Sequence, residues 1–263
     1  MFFGGLNSYA QPIYNVQNDV VIGSNAVGAA SIITGAYLYL YAEDDSTGYK
    51  ALNPLDIPIF DRMFLGYKSN DQELVSDILL YTLLTEAALI NFKDPQKLRP
   101  LESPWIPVFF TTTGLNLITK TAFRRYRPYA YDTLNIEKDL KNKDASFSFY
   151  SGHTTESFSA AVYSSMMYEF LDYPSQFRGL VWLINLSAAT ATGILRIGSG
   201  NHFPSDVLVG AIVGSAIGWL GPTIYNRYSV NSSLQLNNEV LVRDYEVSAM
   251  NPSFPLIRIP ISL

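Results

Sequence analysis

The sequence contains no cysteine and only two histidines among its 263 residues. Without cysteine, a disulfide framework and a thiolate-held metal are both excluded. That absence also suits an oxidising envelope compartment. Charge is scarce: Asp, Glu, Lys and Arg make up 16% of the chain, and the acids outnumber the bases to give a formal net charge of −5. Nucleic acid is therefore excluded as the main partner, since a phosphate backbone is met by a basic face. Tandem repeats and low-complexity tracts are also missing. No connection is long and flexible enough to divide the chain, so residues 1–263 form one domain.

What the chain does have is apolar surface to bury. Hydrophobic residues make up 48% and aromatics 14%, which excludes disorder over most of the length. A mean hydropathy of +0.10 lies above an ordinary cytosolic enzyme and below a protein made mostly of membrane spans. Six apolar segments have helical patterning, over 20–42, 76–92, 105–120, 155–171, 179–195 and 207–225. The first, fifth and sixth carry no charge, and the first is long enough for the roughly 20 apolar residues that cross a bilayer. The second holds Asp77 and Glu86, and the fourth Glu156 and Glu169. The expected architecture is an all-α bundle of about six core helices with a site at one end, either membrane-embedded or soluble. Residues 228–263 read as a polar C-terminal extension. At the other end, Ser8-Tyr9-Ala10 before Gln11 has the form of a signal-peptide terminus. A cleaved remnant there conflicts with an external site on six full spans.

Gly210, Gly214 and Gly218 recur every four residues and so line one helix face, where small residues permit close backbone approach. That pattern predicts packing and no chemistry.

Three polar clusters lie among the apolar segments. The first is Lys120–Tyr129, in which Lys120 and Arg127 share a face if the helix continues that far, and Pro128 ends it. Arg124 and Arg125 read as its solvated members. The second is Tyr150–His153, where Ser151 and Gly152 at a helix start expose amides that favour an anion. His153 at its edge is placed to donate a proton. The third is Arg196–Asp206. His202 and Asp206 are four residues apart, with Pro204 and Ser205 as the first turn of the last helix. A carboxylate on one ring nitrogen would fix the tautomer and leave the other free as a nucleophile. Arg196 adds a fork for phosphate oxygens. Taken singly, each cluster also reads as a solvated loop, a capped helix or a satisfied histidine. Together they hold both histidines, three cations, an amide nest and an oriented nucleophile, the parts of phosphoryl transfer.

In residue type and spacing, these clusters resemble the three-part signature of the type 2 phosphatidic-acid phosphatase superfamily, which includes bacterial acid phosphatases and vanadium haloperoxidases. The matching positions are Lys120 with Arg127-Pro128, then Ser151-Gly152-His153, then Arg196 with His202 and Asp206, so the signature region is 120–206. Tyr150 and Leu195 depart from it, standing where the family usually has proline and serine. The resemblance implies that His202 attacks phosphorus to form a phosphohistidine while Asp206 holds its ring. It implies that His153 protonates the leaving oxygen, and that Lys120, Arg127, Arg196, Ser151 and the Gly152 amide hold the phosphate. No metal and no cofactor are expected.

The implied activity is a metal-independent phosphatase acting on a phosphorylated envelope lipid. A soluble periplasmic acid phosphatase working on small phosphoesters is the alternative, and a haloperoxidase stands further off because those enzymes are usually longer. A non-enzymatic phosphate binder would have degraded motifs, and these are intact. The implied location is the envelope of a bacterium, membrane-associated, with the site facing the periplasm or exterior. Substrate choice is expected from the connections over 43–73 and 129–149. The aromatics Tyr129, Tyr131, Phe147, Phe149 and Tyr150 read equally as a lipid entrance or as loop packing. Oligomeric state is left open.

Overall fold

The computed structural model describes residues 16–42, 52–66, 68–93, 103–131, 143–171 and 174–229. The signal-like Ser8-Tyr9-Ala10, residues 230–263 of the C-terminal extension, and parts of both specificity connections lie outside the described residues. Those that are described form an all-α structure. Its helices are α1 (Asn18–Tyr41), the short α2 (Ile59–Arg62), α3 (Asn70–Leu89), α4 (Trp105–Phe123), α5 (Gly152–Phe170), α6 (Arg178–Gly198) and α7 (Pro204–Arg227).

The helix starts follow from their caps. Ser69 accepts a hydrogen bond from the Gln72 amide, and Asp71 and Glu73 fill the first turn of α3, where the helix dipole favours acids. This polar turn carries α3 to Asn70, earlier than hydrophobic periodicity indicated. Ser151 caps α5 through the Thr154 amide. Pro204 opens α7, and the Asp206 carboxylate accepts from the Phe203 amide at 2.9 Å. The end of α4 differs from the sequence expectation. Arg124 takes a left-handed conformation with φ 47° and closes the helix at Phe123. Arg127 therefore lies beyond the helix, where its amide donates to the Ala145 carbonyl at 2.8 Å.

α5 is the central helix. Its Ala160, Ala161, Tyr163 and Met167 are buried with Leu83 and Ala87 of α3, Val108 of α4, Ala189 of α6 and Tyr225 of α7. The glycine stripe of α7 does pack closely, because a methyl group at Gly214 would collide with the Thr155 carbonyl and one at Gly218 with that of Ser159. The other long helices turn large apolar side chains outward, including Ile22 and Ile33 on α1, Ile78 on α3, Leu183 and Ile194 on α6, and Leu208, Ile212 and Trp219 on α7. Three of them, α1, α6 and α7, are long and apolar enough to cross a membrane.

The six long helices run alternately toward and away from one end. α1, α4 and α6 finish there and α3, α5 and α7 begin there, so all three polar clusters meet. At the opposite end the chain's described limits also meet, with Val16 bridged to Ser229 and the Gln17 amide donating to the Tyr228 carbonyl at 3.2 Å.

Candidate active site

His202 lies in the short turn between α6 and α7 and is 1% exposed. Its Nδ1 is 2.8 Å from the Ser148 carbonyl oxygen, an acceptor only, so Nδ1 carries the proton and Nε2 is left with a lone pair. Burial holds its pKa well below the usual 6.5, and the nearby charges of Arg127, Lys120, Arg196 and His153 push in the same direction. The ring is therefore a neutral imidazole inside a group of cations. The same proximity shows that the structure brings the three sequence clusters together.

Asp206 does not hold that ring directly. Its Oδ2 is 3.8 Å from Nδ1, beyond hydrogen-bond length. The carboxylate instead accepts from the Ser148 hydroxyl at 2.6 Å and from Arg125 at 2.5 Å, besides the Phe203 amide. The reason is the cap: as the third residue of α7, Asp206 folds back onto the helix start and reaches His202 only through Ser148.

Arg125 also differs from its expected solvated role. Its guanidinium bridges Asp206 and Asp61, the latter at 2.8 Å. It also donates to the Ser205 hydroxyl at 2.7 Å and stacks 4.2 Å from the Phe203 ring centroid. Asp61 of α2, fully buried, accepts from the Ser205 amide and hydroxyl at 3.0 and 2.6 Å. Sequence reading passed over Asp61, since a lone Asp in a turn-rich connection carries no pattern.

Two of the expected phosphate-holding cations, Arg127 and Arg196, are held by partners. Arg127 donates to Asn201 Oδ1 at 2.6 Å and to the Asp144 carbonyl at 2.9 Å. Burial raises the Asp144 pKa, but Arg127 and the Tyr39 hydroxyl, 2.7 Å away, bring it net below the ordinary carboxylate range. Arg196 is 3% exposed and donates to the Ser76 hydroxyl at 3.2 Å, with Asp77 at 3.5 Å and Glu73 at 3.7 Å. Its Nε is a buried donor with no acceptor, a group that wants an anion. Lys120 lies in the last turn of α4 against Gly152, where an added methyl carbon would be 3.7 Å from Nζ.

On α5, His153 Nε2 is 2.8 Å from Asp77 Oδ1. The Ser151 hydroxyl is 2.9 Å from Thr154 Oγ1 and caps the helix. The Ser151 amide donates to the Asp206 carbonyl at 3.1 Å. Those contacts leave the Gly152 and His153 amides as the first-turn donors without an intrahelical acceptor.

The five aromatics divide. Phe147 and Tyr150 are buried, Phe147 against Tyr39 at 5.2 Å and Phe149 against Phe123 at 4.8 Å. Tyr131 packs edge-on to Phe203 at 6.4 Å. These are loop-packing contacts. Among the described residues, no three His, Asp or Glu side chains converge to hold a metal ion.

Against known families, the model of the PAP2 superfamily matches residues 106–229. Among solved structures, the chain is similar to the first transmembrane PAP2 type phosphatidylglycerolphosphate phosphatase from Bacillus subtilis. The two share 22% identity over 76% of this chain and 96% of that one, with a TM-score of 0.44. No curated protein matches the chain.

Proposed function

We propose that this chain, which matches the PAP2 superfamily model over residues 106–229, hydrolyses a phosphomonoester or diphosphate of an envelope lipid through a phosphohistidine intermediate. The observation that carries this reading is His202, buried, neutral, fixed at Nδ1 by Ser148 and surrounded by Lys120, Arg127 and Arg196.

In the first step the Nε2 lone pair of His202 forms the N–P bond, and the P–O bond to the lipid breaks. His153 gives its proton to the departing oxygen. The three cations, with the Gly152 and His153 amides, hold the equatorial oxygens as charge spreads over them. In the second step a water gives a proton back to His153 and attacks phosphorus, and the N–P bond breaks to release inorganic phosphate. Asp206 acts at one remove by anchoring Ser148 and Arg125. Three cations supply the charge that a metal would supply in a metal-dependent phosphatase, so the reaction needs none.

A lipid substrate fits a bundle that exposes Ile, Leu and Trp on its helices. The site end is opposite the end where both described chain limits meet. With those limits cytoplasmic, the phosphate pocket faces the periplasm or exterior. Arg178 at the start of α6 and Arg227 at the end of α7 then lie on the inner side, as the positive-inside rule prefers.

The test is phosphate release by detergent-purified protein without added metal. The panel pairs phosphatidic acid, phosphatidylglycerol phosphate and undecaprenyl diphosphate with soluble p-nitrophenyl phosphate. Release from the lipids, competitive inhibition by vanadate and indifference to EDTA are expected. Preference for the soluble ester would point to an acid phosphatase, and loss of activity in EDTA would overturn metal independence.

A further inference from the structure

Residues 52–66, between α1 and α3, are built largely inside out. Two of their three charged side chains turn inward, while Asp56 is exposed: Asp61 is fully buried beneath Arg125 and Ser205, and Arg62 folds onto the carbonyl oxygens of Leu55 and Ile57 at 3.0 and 2.9 Å. Four of their apolar side chains point outward: Leu55, Ile59 and Met63 are each at least 70% exposed, and Phe60 more than half. A loop in water shows the reverse polarity, with charge outside and large apolar groups inside.

The backbone of this strap is also largely satisfied from within. The Asp56 and Ile57 amides donate to the carbonyls of Asn53 and Pro54, and the Asp61 and Arg62 amides donate to that of Pro58. The Leu55 amide donates to the Asn53 side chain. Pro54 and Pro58 bring no N–H. A non-helical segment facing lipid must meet its polar backbone groups in this way. The apolar surface also continues around the same end of the bundle. Tyr37, Leu40 and Tyr41 at the end of α1, and Phe123 at the end of α4, are all more than half exposed, and aromatic side chains gather at the membrane–water boundary.

We propose that the strap is an interfacial anchor whose Leu55, Ile59, Phe60 and Met63 lie at the boundary between headgroups and acyl chains, on the side of the bilayer that the phosphate pocket faces. Asp61 belongs both to this strap and to the Arg125–Asp206 network beside His202. Seating the strap in lipid therefore fixes the depth of the pocket at the level where a lipid phosphate sits. The inference rests on the membrane placement under the proposed function, and adds to it a second, non-spanning contact that couples the bilayer surface to the site.

The absence of cysteine makes the test direct. Ile59→Cys and Met63→Cys, each carrying a nitroxide, are placed in vesicles of phosphatidylethanolamine and phosphatidylglycerol. Ile212→Cys on the outer face of α7 is the reference for a spanning helix. Collision with oxygen and with a water-soluble nickel chelate is read by spin relaxation. The expected result is strap labels that are oxygen-accessible, shielded from the chelate and shallower than the reference. Strap labels open to the chelate beside a shielded Ile212→Cys label would overturn the anchor and leave the membrane placement standing. All labels open to the chelate would overturn both. Strap labels shielded from both probes would mean that a protein surface, such as a second copy of the chain, covers the strap.

Discussion

His202 donates from Nδ1 to the carbonyl oxygen of Ser148 at 2.8 Å, while the Asp206 carboxylate lies 3.8 Å from the same nitrogen. The tautomer is thus set by a backbone group that no side-chain substitution removes, and Asp206 supports it through the 2.6 Å bond from the Ser148 hydroxyl. Ser148→Ala keeps the carbonyl and is expected to cost about 0.5–1.5 kcal/mol of stability with turnover retained. Asp206→Asn removes one of the two carboxylates that Arg125 bridges, leaving Asp61, and is expected to cost about 1–3 kcal/mol, lowering activity in step with stability. Thermal unfolding and phosphate release on the two variants check this. Full loss of turnover in a stably folded Ser148→Ala would show that the hydroxyl, not the carbonyl, orients the ring.

His202→Ala removes the attacking nitrogen and is expected to abolish turnover. A brief reaction with radiolabelled substrate should leave acid-labile phosphate on wild-type protein and none on the variant. Label retained by His202→Ala would place the nucleophile elsewhere.

The depressed pKa of His202 sets the acid side of the pH profile. The neutral ring is the reactive form, so lowering its pKa below 6.5 keeps it reactive as pH falls through 6.5. The acid limb of kcat/KM, which reports the free enzyme, should lie below that value. Lys120→Met removes one of the cations that disfavour imidazolium, so the limb should move upward toward 6.5. For stability the sign is set by the unfolded chain, whose His202 binds a proton below 6.5 that the folded ring refuses. Stability should therefore fall with pH in that window.

On the acid-donating side, His153 Nε2 meets Asp77 at 2.8 Å, and Asp77 also lies 3.5 Å from Arg196, which is 3.7 Å from Glu73. Burial, and then the charges of Arg196, Lys120 and Arg127, push the His153 pKa down to about 3, so its protonation for the acid step depends on the negative charge of Asp77 and of the bound phosphate. Asp77→Asn keeps a hydrogen-bonding partner but removes the charge that favours a protonated ring. The alkaline limb of kcat/KM should move to lower pH, and kcat should fall by less than the roughly 10²–10⁴-fold expected for losing the general acid in His153→Ala. An unmoved alkaline limb would make Asp77 a packing residue only.

The matching motif residues were legible in the sequence because phosphoryl transfer demands particular residue types at fixed spacings, and six helices were legible from apolar periodicity. Their buttresses were not. Asp61, Asp77, Asp144 and Asn201 each lie in a different part of the chain, and each meets its cation or histidine only when helices and loops far apart in sequence converge. Arg125 was misread for the same reason: its partners, Asp61 and Asp206, are 64 and 81 residues away. The direct Asp206–His202 bond expected from a spacing of four assumed helical geometry, whereas His202 precedes the helix and Asp206 turns back to cap it.

The glycine stripe of α7 gives a test of the packing that carries the site. Gly214 faces the Thr155 carbonyl so closely that a methyl group there would overlap backbone, and a carbonyl held in a central helix cannot yield as a flexible side chain would. α5 and α7 both begin at the site, with Gly152 and His153 on one and Asp206 on the other, so separating them also displaces the pocket. Gly214→Ala is therefore expected to destabilise the protein by at least about 1–3 kcal/mol and to lower kcat/KM, although no substrate contact is removed. Gly23→Ala on α1 has open space at the new methyl group and should be neutral or slightly stabilising, because alanine is the better helix former by about 1 kcal/mol. Thermal unfolding in one detergent, with activity measured on the same samples, compares the two. Equal stability in both variants would show that α5 and α7 are not in the tight contact on which the shared site depends.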